Sequence, residues 1–445
     1  MSIFSAMTMG KARSTFTCLL VLALCSWHLD TGYNDNTVSR VLAVRALAEQ
    51  GTLDITPHHE LTGDKAETNG RFFSDKAPLP TFAVAAVWKV MLSLGISPSG
   101  TIVDKRILLL GGWLCGSIPL ALIILVVVRQ LRSVRPVQTW LLGVLPILGS
   151  FLFVYGGTFY NHLPAAACAL LAAILITRQR PWLAGLFAGL AAACDASMLL
   201  PICIWMMQII ARKQSVRPFL FGLLPGAAIT MVNNALVTGS PFTFPSAHAV
   251  NYGIMRIGYG FGTWQPQAFW GLTFSSYRGL FFYCPALLVV VGLAWRHRGR
   301  LLARTTVLDP FILPSVLLIL AFMTHGTWWG GWTYGPRYLT VVPVLLLYRA
   351  LPSIAASQAL ARATIALSAF GLVCAFAAKT TAGYSLPTNV ADPMIDMVLR
   401  LVLHKEFDAT QWPVALGFSP VMASAFFALA VIFALRWLQR TKATN

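Results

Sequence analysis

The sequence runs to 445 residues, of which 57% are hydrophobic and 11% charged, with a mean hydropathy of +0.69. Soluble domains carry about 25% charged residues, so this composition excludes an ordinary water-soluble enzyme and a disordered chain alike. The net charge of +18 invites a nucleic-acid reading, and its placement argues against one. When alternate loops are assigned to opposite sides of a membrane, nineteen of the 33 Lys and Arg fall on one side with a single acid, Asp309. The other side is neutral, as the positive-inside rule requires, so the charge reports topology. The eight cysteines contain no CxxC pair and read as packing residues rather than a disulfide framework or zinc site.

In chain order, residues 14–29 form an apolar stretch behind Lys11 and Arg13. It has the length of a signal-peptide core, but no A-x-A site follows, so it is read as a retained first helix with the N-terminus inside. Residues 31–105 form the first outer region. Within it, apolar residues at 38, 41, 42, 44 and 47 make a helical stripe, which predicts a short amphipathic helix at the membrane surface. The segment 79–96 is short and interrupted by Trp88-Lys89. Counting it as a crossing would invert the later charge pattern, so it is read as an interfacial or re-entrant helix.

Crossings follow at 107–128, 138–156 and 158–177. In 182–211, Arg180 before and Arg212-Lys213 after must lie on one side. Thirty residues reach about 45 Å as one helix, too short for two crossings of a core about 30 Å thick. Two short helices meeting at Cys194-Asp195-Ala196-Ser197 satisfy both constraints. Such a break is tolerated where it is buried in protein or lines a wet cavity. Further crossings are expected at 219–237, 280–294, 310–325, 338–350, 363–379 and 413–435, with the connections 238–279, 326–337 and 380–412 outside. The expectation is an all-α polytopic protein of about 11–13 transmembrane helices. It comprises two modules, 1–237 and 238–445, in the inner (plasma) membrane, with both termini cytoplasmic.

Polar residues collect on the outer side. Asp35 follows the first helix closely, where a carboxylate can take a proton from a hydroxyl; Arg40, about a turn later, is its expected partner. Asn34, Asp35 and Asn36 equally suit an N-cap. Arg71, Asp75 and Lys76 open the interfacial segment at the depth of a lipid phosphate, where the cations can also simply snorkel to headgroups. The loop 238–279 is aromatic and closes on Tyr277-Arg278-Gly279. In the segment 326–338, glycines alternate with Trp328, Trp329, Trp332, Tyr334 and Tyr338 around Arg337. Flat rings beside glycines suit sugar stacking, though an aromatic belt also uses them. His58-His59-Glu60 lacks metal-site spacing. His162 and His325 sit near outer helix ends, as packing residues or cavity lining. Asp195 at membrane depth is a functional candidate, or a cap for the second short helix.

Three features together resemble the GT-C superfamily of membrane glycosyltransferases, nearest the protein mannosyltransferase and aminoarabinose transferase branch. They are an acid just after the first helix, followed by a helix, here Asp35 to Gln50; the run Gly70-Arg71-Phe72-Phe73-Ser74-Asp75-Lys76-Ala77-Pro78; and the run from Gly330 to Tyr338. The resemblance covers roughly residues 14–211 and is patchy beyond. It implies transfer of a sugar from a polyprenyl phosphate, with inversion, to a glycan, lipid or protein acceptor outside. By position, Asp35 would be the base and Arg71, Lys76 and Arg337 would hold the donor phosphate. Arg40, Asp75, His162, Asp195, Arg278, Trp329, Trp332, Tyr334 and Tyr338 would line the substrate cavity. Many relatives have Asp-Glu after the first helix, whereas Asn36 follows Asp35 here. The single carboxylate argues against a divalent-cation requirement. Two readings from other classes stand beside this one: a transporter or flippase of lipid-linked sugars, and a non-catalytic membrane scaffold.

Overall fold

In the computed structural model, residues 15–28, 30–98, 100–131, 139–262, 264–408 and 410–440 are described. Lys11, Arg13, Arg132, Arg135 and Lys442 of the basic set lie outside them. The helices are α1 (Thr15–Cys25), α2 (Asp35–Arg45), α3 (Pro78–Ser93), α4 (Lys105–Leu131), α5 (Thr139–Leu148), α6 (His162–Thr177) and α7 (Pro181–Cys194). Then come α8 (Leu199–Ala211), α9 (Arg217–Thr238), α10 (Leu287–Arg296), α11 (Ile312–Phe322), α12 (Val341–Ala355), α13 (Gln358–Thr381) and α14 (Pro420–Arg440). Among the described residues α4, α9, α13 and α14 are long and apolar enough to cross a membrane alone. The others are shorter apolar helices, apart from α2, and α1 packs into the main core through Val21, Leu24 and Cys25.

The two sides inferred from charge are two ends of the bundle. At one end Arg349 Nε lies 2.5 Å from Asp309 Oδ2, the one acid among the basic loops. There too Arg212 Nη2 donates to Leu308 O at 2.6 Å and Arg304 Nη2 to Ala211 O at 3.1 Å. At the other end the long connections bind one another: Val250 N donates to Lys65 O, Gly262 N to Thr324 O and Thr333 N to Leu386 O.

The break in 182–211 is present. Helix α7 stops at Cys194, Asp195 is extended (φ −153°, ψ 113°), and a short turn Ala196–Met198 leads into α8. Helix α7 packs backbone to backbone on α9 through two small-residue pairs. A Cβ on Gly222 would lie 2.1 Å from Trp182 O, and one on Gly226 2.1 Å from the Gly189 carbonyl carbon.

One expectation needs correction. Helix α2 is not laid on a surface: every residue from Thr37 to Val44 is buried, because α3 and the loop after α2 pack against it. The apolar stripe packs against the protein, and Ser39 and Arg40 are enclosed with it. The first loop also contains an antiparallel hairpin, β1 (Lys65–Thr68) with β2 (Arg71–Ser74), in register Ala66↔Phe73. Its turn, Asn69-Gly70, has both φ positive (52° and 73°), the type I′ signature that Asn-Gly favours.

Candidate functional site

Where α2, the end of the hairpin, the α7–α8 break and the long loops meet, a cavity of about 360 Å³ opens. Arg40, Asp75, Lys76, His162, Asp195, Arg337 and Tyr338 line it, with Asn36, Asn161, Ser197, Tyr259 and His325 among the others.

Lys76 comes from the segment joining β2 to α3. Its Nζ lies 2.8 Å from Asp64 Oδ2 and 2.9 Å from Asp75 Oδ1. Burial pushes the Asp64 carboxyl up, but the Lys76 ammonium outweighs it and holds Asp64 below the usual carboxylate range. Asp75 is pushed up by its own burial in spite of Lys76, with the Asp64 charge adding to the effect. Burial would lower Lys76, yet the two carboxylates hold it above the usual lysine range.

Arg40 is 1% exposed. Its Nε donates to Asn36 Oδ1 at 3.2 Å and its Nη2 to Asn161 Oδ1 at 2.8 Å, and Asn161 Nδ2 in turn donates to Cys194 O at 2.9 Å. Its Nη1 is buried without a protein partner. The Arg337 guanidinium lies 5.4 Å from the Tyr160 and Tyr338 ring centres, a cation–π arrangement, and its Nε is also buried and unpartnered. Both of these arginines line the cavity, and an anion is the kind of ligand that satisfies such donors.

His162, the first residue of α6, has Nδ1 2.7 Å from Asp195 Oδ2. Asp195 Oδ1 accepts from Ser197 N and Oγ. The ionised carboxylate only accepts, so Nδ1 carries the proton. Asp195 therefore both caps the turn after the break and orients a histidine. His325, just past α11, is held by burial at about 4 and is neutral at pH 7.

An apolar groove of about 290 Å³ between α7, α8 and α9 adjoins the cavity, sharing the walls Ala192, Ala196, Leu199, Thr230, Asn234 and Phe244.

The other predicted residues fall elsewhere. Asp35 is exposed in the first turn of α2 and does not line the cavity, although Asn36 does. Asn34 is the N-cap, in a reciprocal box with Thr37. Asp35 lies close to the first loop, since Thr62 Oγ1 donates to its carbonyl at 2.7 Å. The expected Asp35–Arg40 pair is replaced by the amide contacts of Arg40. Arg71 is 70% exposed, 3.8 Å from Asp54, and lines a separate groove.

Arg278 is fully buried and donates to the carbonyls of Tyr277, Gly331, Leu386 and Pro387, tying three long loops together. Tyr334 is buried and hydrogen-bonded to Tyr155, Trp329 packs on the core, and Trp332 is exposed. None of these four lines the cavity. Gly330, Gly331 and Gly335 have φ of 76°, 74° and 67°, so the loop requires them for its backbone rather than for sugar contact.

Sequence reasoning missed Asn36, Asn161 and Asp64, which are uncharged or distant from the motif they serve. It also missed Lys379, 1% exposed, whose Nζ lies 3.5 Å from Asp30 Oδ2 and donates to Val154 O at 2.6 Å. This buried pair fastens the turn that presents Tyr160 and Asn161. Among the described residues, no group of three or more His, Cys, Asp or Glu side chains is placed to hold a metal ion.

No protein-family model matches the chain, and no curated protein does. Solved structures do. ArnT, an aminoarabinose transferase, from Cupriavidus metallidurans bound to undecaprenyl phosphate superposes with a TM-score of 0.50 at 12% identity, over 98% of this chain and 77% of that one. The apo state of the same protein gives 0.47 at 13% over the same shares. The oligosaccharyltransferase AglB from Archaeoglobus fulgidus, with an inhibitory peptide and a dolichol-phosphate, gives 0.47 at 11%, over 87% and 57%. The first comparison shows that the chain shares its fold with that polytopic membrane protein.

Proposed function

We propose that this membrane protein transfers a sugar from a polyprenyl phosphate to a hydroxyl-bearing acceptor at the end of the bundle formed by its long loops. One observation carries the reading: Arg40, Lys76 and Arg337 line a cavity that shares its walls with an adjoining apolar groove. A phosphate with a long apolar tail matches that pairing of charge and grease. The tail lies along α7, α8 and α9, and the phosphate meets the unpartnered arginine donors.

In this scheme the acceptor oxygen attacks the anomeric carbon from the face opposite the phosphate, and the C–O bond to the phosphate breaks with inversion. The departing phosphate gains a negative charge, which the three cations stabilise. Asp35, beside Asn36 at the rim, takes the acceptor proton, so the acceptor enters past the first loop.

The test is reconstitution with labelled undecaprenyl-phosphate sugars. Asp35→Asn should lose transfer by about 10²–10⁴-fold while still binding undecaprenyl phosphate. Undiminished transfer by that variant would remove Asp35 from the chemistry.

A further inference from the structure

Arg71 stands apart from the Lys76 cavity, in a groove of about 670 Å³ with a character of its own. One wall is a stripe on α3: Phe82, Ala85, Ala86 and Lys89 recur at i, i+3, i+4 and i+7 and so share one face. The two alanines make a shallow floor about 10 Å long from Phe82 to Lys89. The facing wall is Val232 and Leu236 of α9, one turn apart and 54% and 65% exposed. Helix α9 is long and apolar enough to span the bilayer, so this wall is continuous with its lipid-facing surface.

Among the described residues, the formal charges lining the groove are Arg71 and Lys89, both basic and both exposed. Arg71 has only the loose 3.8 Å approach to Asp54, and Lys89 makes no ion pair or hydrogen bond among the described residues. Two exposed cations, one loosely paired and one unpaired, over an apolar trough open to the bilayer are the complement of an anionic headgroup with acyl chains.

We propose that this groove is a second lipid site, distinct from the donor cavity, and that its occupant is an anionic glycerophospholipid. The phosphate sits between Arg71 and Lys89, and an acyl chain lies over Ala85 and Ala86 against Val232 and Leu236. The inference stands on this groove alone and does not depend on transferase activity.

The test is native mass spectrometry of the full chain in detergent, titrated with palmitoyl-oleoyl phosphatidylglycerol, with the phosphatidylcholine of the same chains and with undecaprenyl phosphate. The wild type should retain one phosphatidylglycerol that phosphatidylcholine does not replace. Arg71→Gln and Lys89→Gln should each weaken retention about fivefold. Ala86→Trp, which fills the trough but keeps both cations, should abolish it. The proposal is overturned if the Arg71→Gln/Lys89→Gln double variant retains phosphatidylglycerol like the wild type. Equal retention of phosphatidylcholine, or displacement of phosphatidylglycerol from this groove by undecaprenyl phosphate, would also overturn it. Unchanged thermal melting of the two charge variants separates loss of the site from loss of the fold.

Discussion

Lys76 Nζ lies 2.8 Å from Asp64 Oδ2, and the pair joins the two ends of the first-loop hairpin at the mouth of the cavity. Asp75 shares the same ammonium. Removing the lysine leaves two buried carboxylates facing each other without a counter-charge. Lys76→Met should therefore cost on the order of 3 kcal/mol of stability. Adding Asp64→Asn to it should recover a large part. Thermal melting of the purified variants checks both values, and equal melting of the single and double variants would refute the coupling.

His325 supplies a pH dependence. Its folded value is about 4, against about 6.5 for a free histidine. Between these values the unfolded chain binds a proton that the folded chain refuses, so stability falls as pH drops from 6.5 toward 4. The residue is 3% exposed, and the full effect is on the order of 3 kcal/mol. Melting followed from pH 7 to pH 4.5 should decline more steeply in the wild type than in His325→Asn.

The contact of α7 with α9 depends on absent side chains. A Cβ on Gly226 would meet the Gly189 carbonyl carbon at 2.1 Å, with backbone rather than a movable side chain in the way. Gly226→Leu must separate the helices and open the wall that the groove and cavity share. We expect a loss of several kcal/mol, seen as a lower melting temperature and early proteolysis near residues 212–217. Gly292→Ala, with nothing within 4 Å of its added Cβ, is the control.

Gly63 separates the placement of Asp35 from its mere presence. A Cβ there would lie 3.1 Å from Asp35 Oδ2 and 3.0 Å from Asn251 Nδ2, and both neighbours are exposed and able to move. Gly63→Ala should leave stability within about 0.5 kcal/mol. It should lower transfer severalfold by displacing the carboxylate. An unchanged turnover would mean that the position of Asp35 does not matter.

Much of the bundle was legible because apolar runs of crossing length and basic loops are local signals. The break at Asp195 followed from the same arithmetic: two basic flanks on one side and too few residues between them. The hairpin was missed although Asn69-Gly70 announced it, because the surrounding strands are only four residues each. In the site, Lys76, Arg337, His162 and Asp195 were readable as charged or titratable groups near helix ends. Asn161 was not, since an amide becomes informative only when an arginine 121 residues away is seen to need it. Arg278 misled for the converse reason. A charge in an aromatic loop suggests a ligand, yet its Nη1 donates to the Tyr277 carbonyl and its Nη2 to backbone carbonyls from 53 to 109 residues distant. Lys379 and Asp30 are separated by 349 residues, and no spacing rule links them.

The central claim is that the cavity holds a lipid-borne phosphate, and direct binding of undecaprenyl phosphate to the reconstituted protein tests it. We predict saturable binding by the wild type, weakened about tenfold or more in Arg337→Gln and unchanged in Trp332→Ala, whose side chain lies off the cavity. Absent binding, or equal affinity in the wild type and Arg337→Gln, would contradict the account.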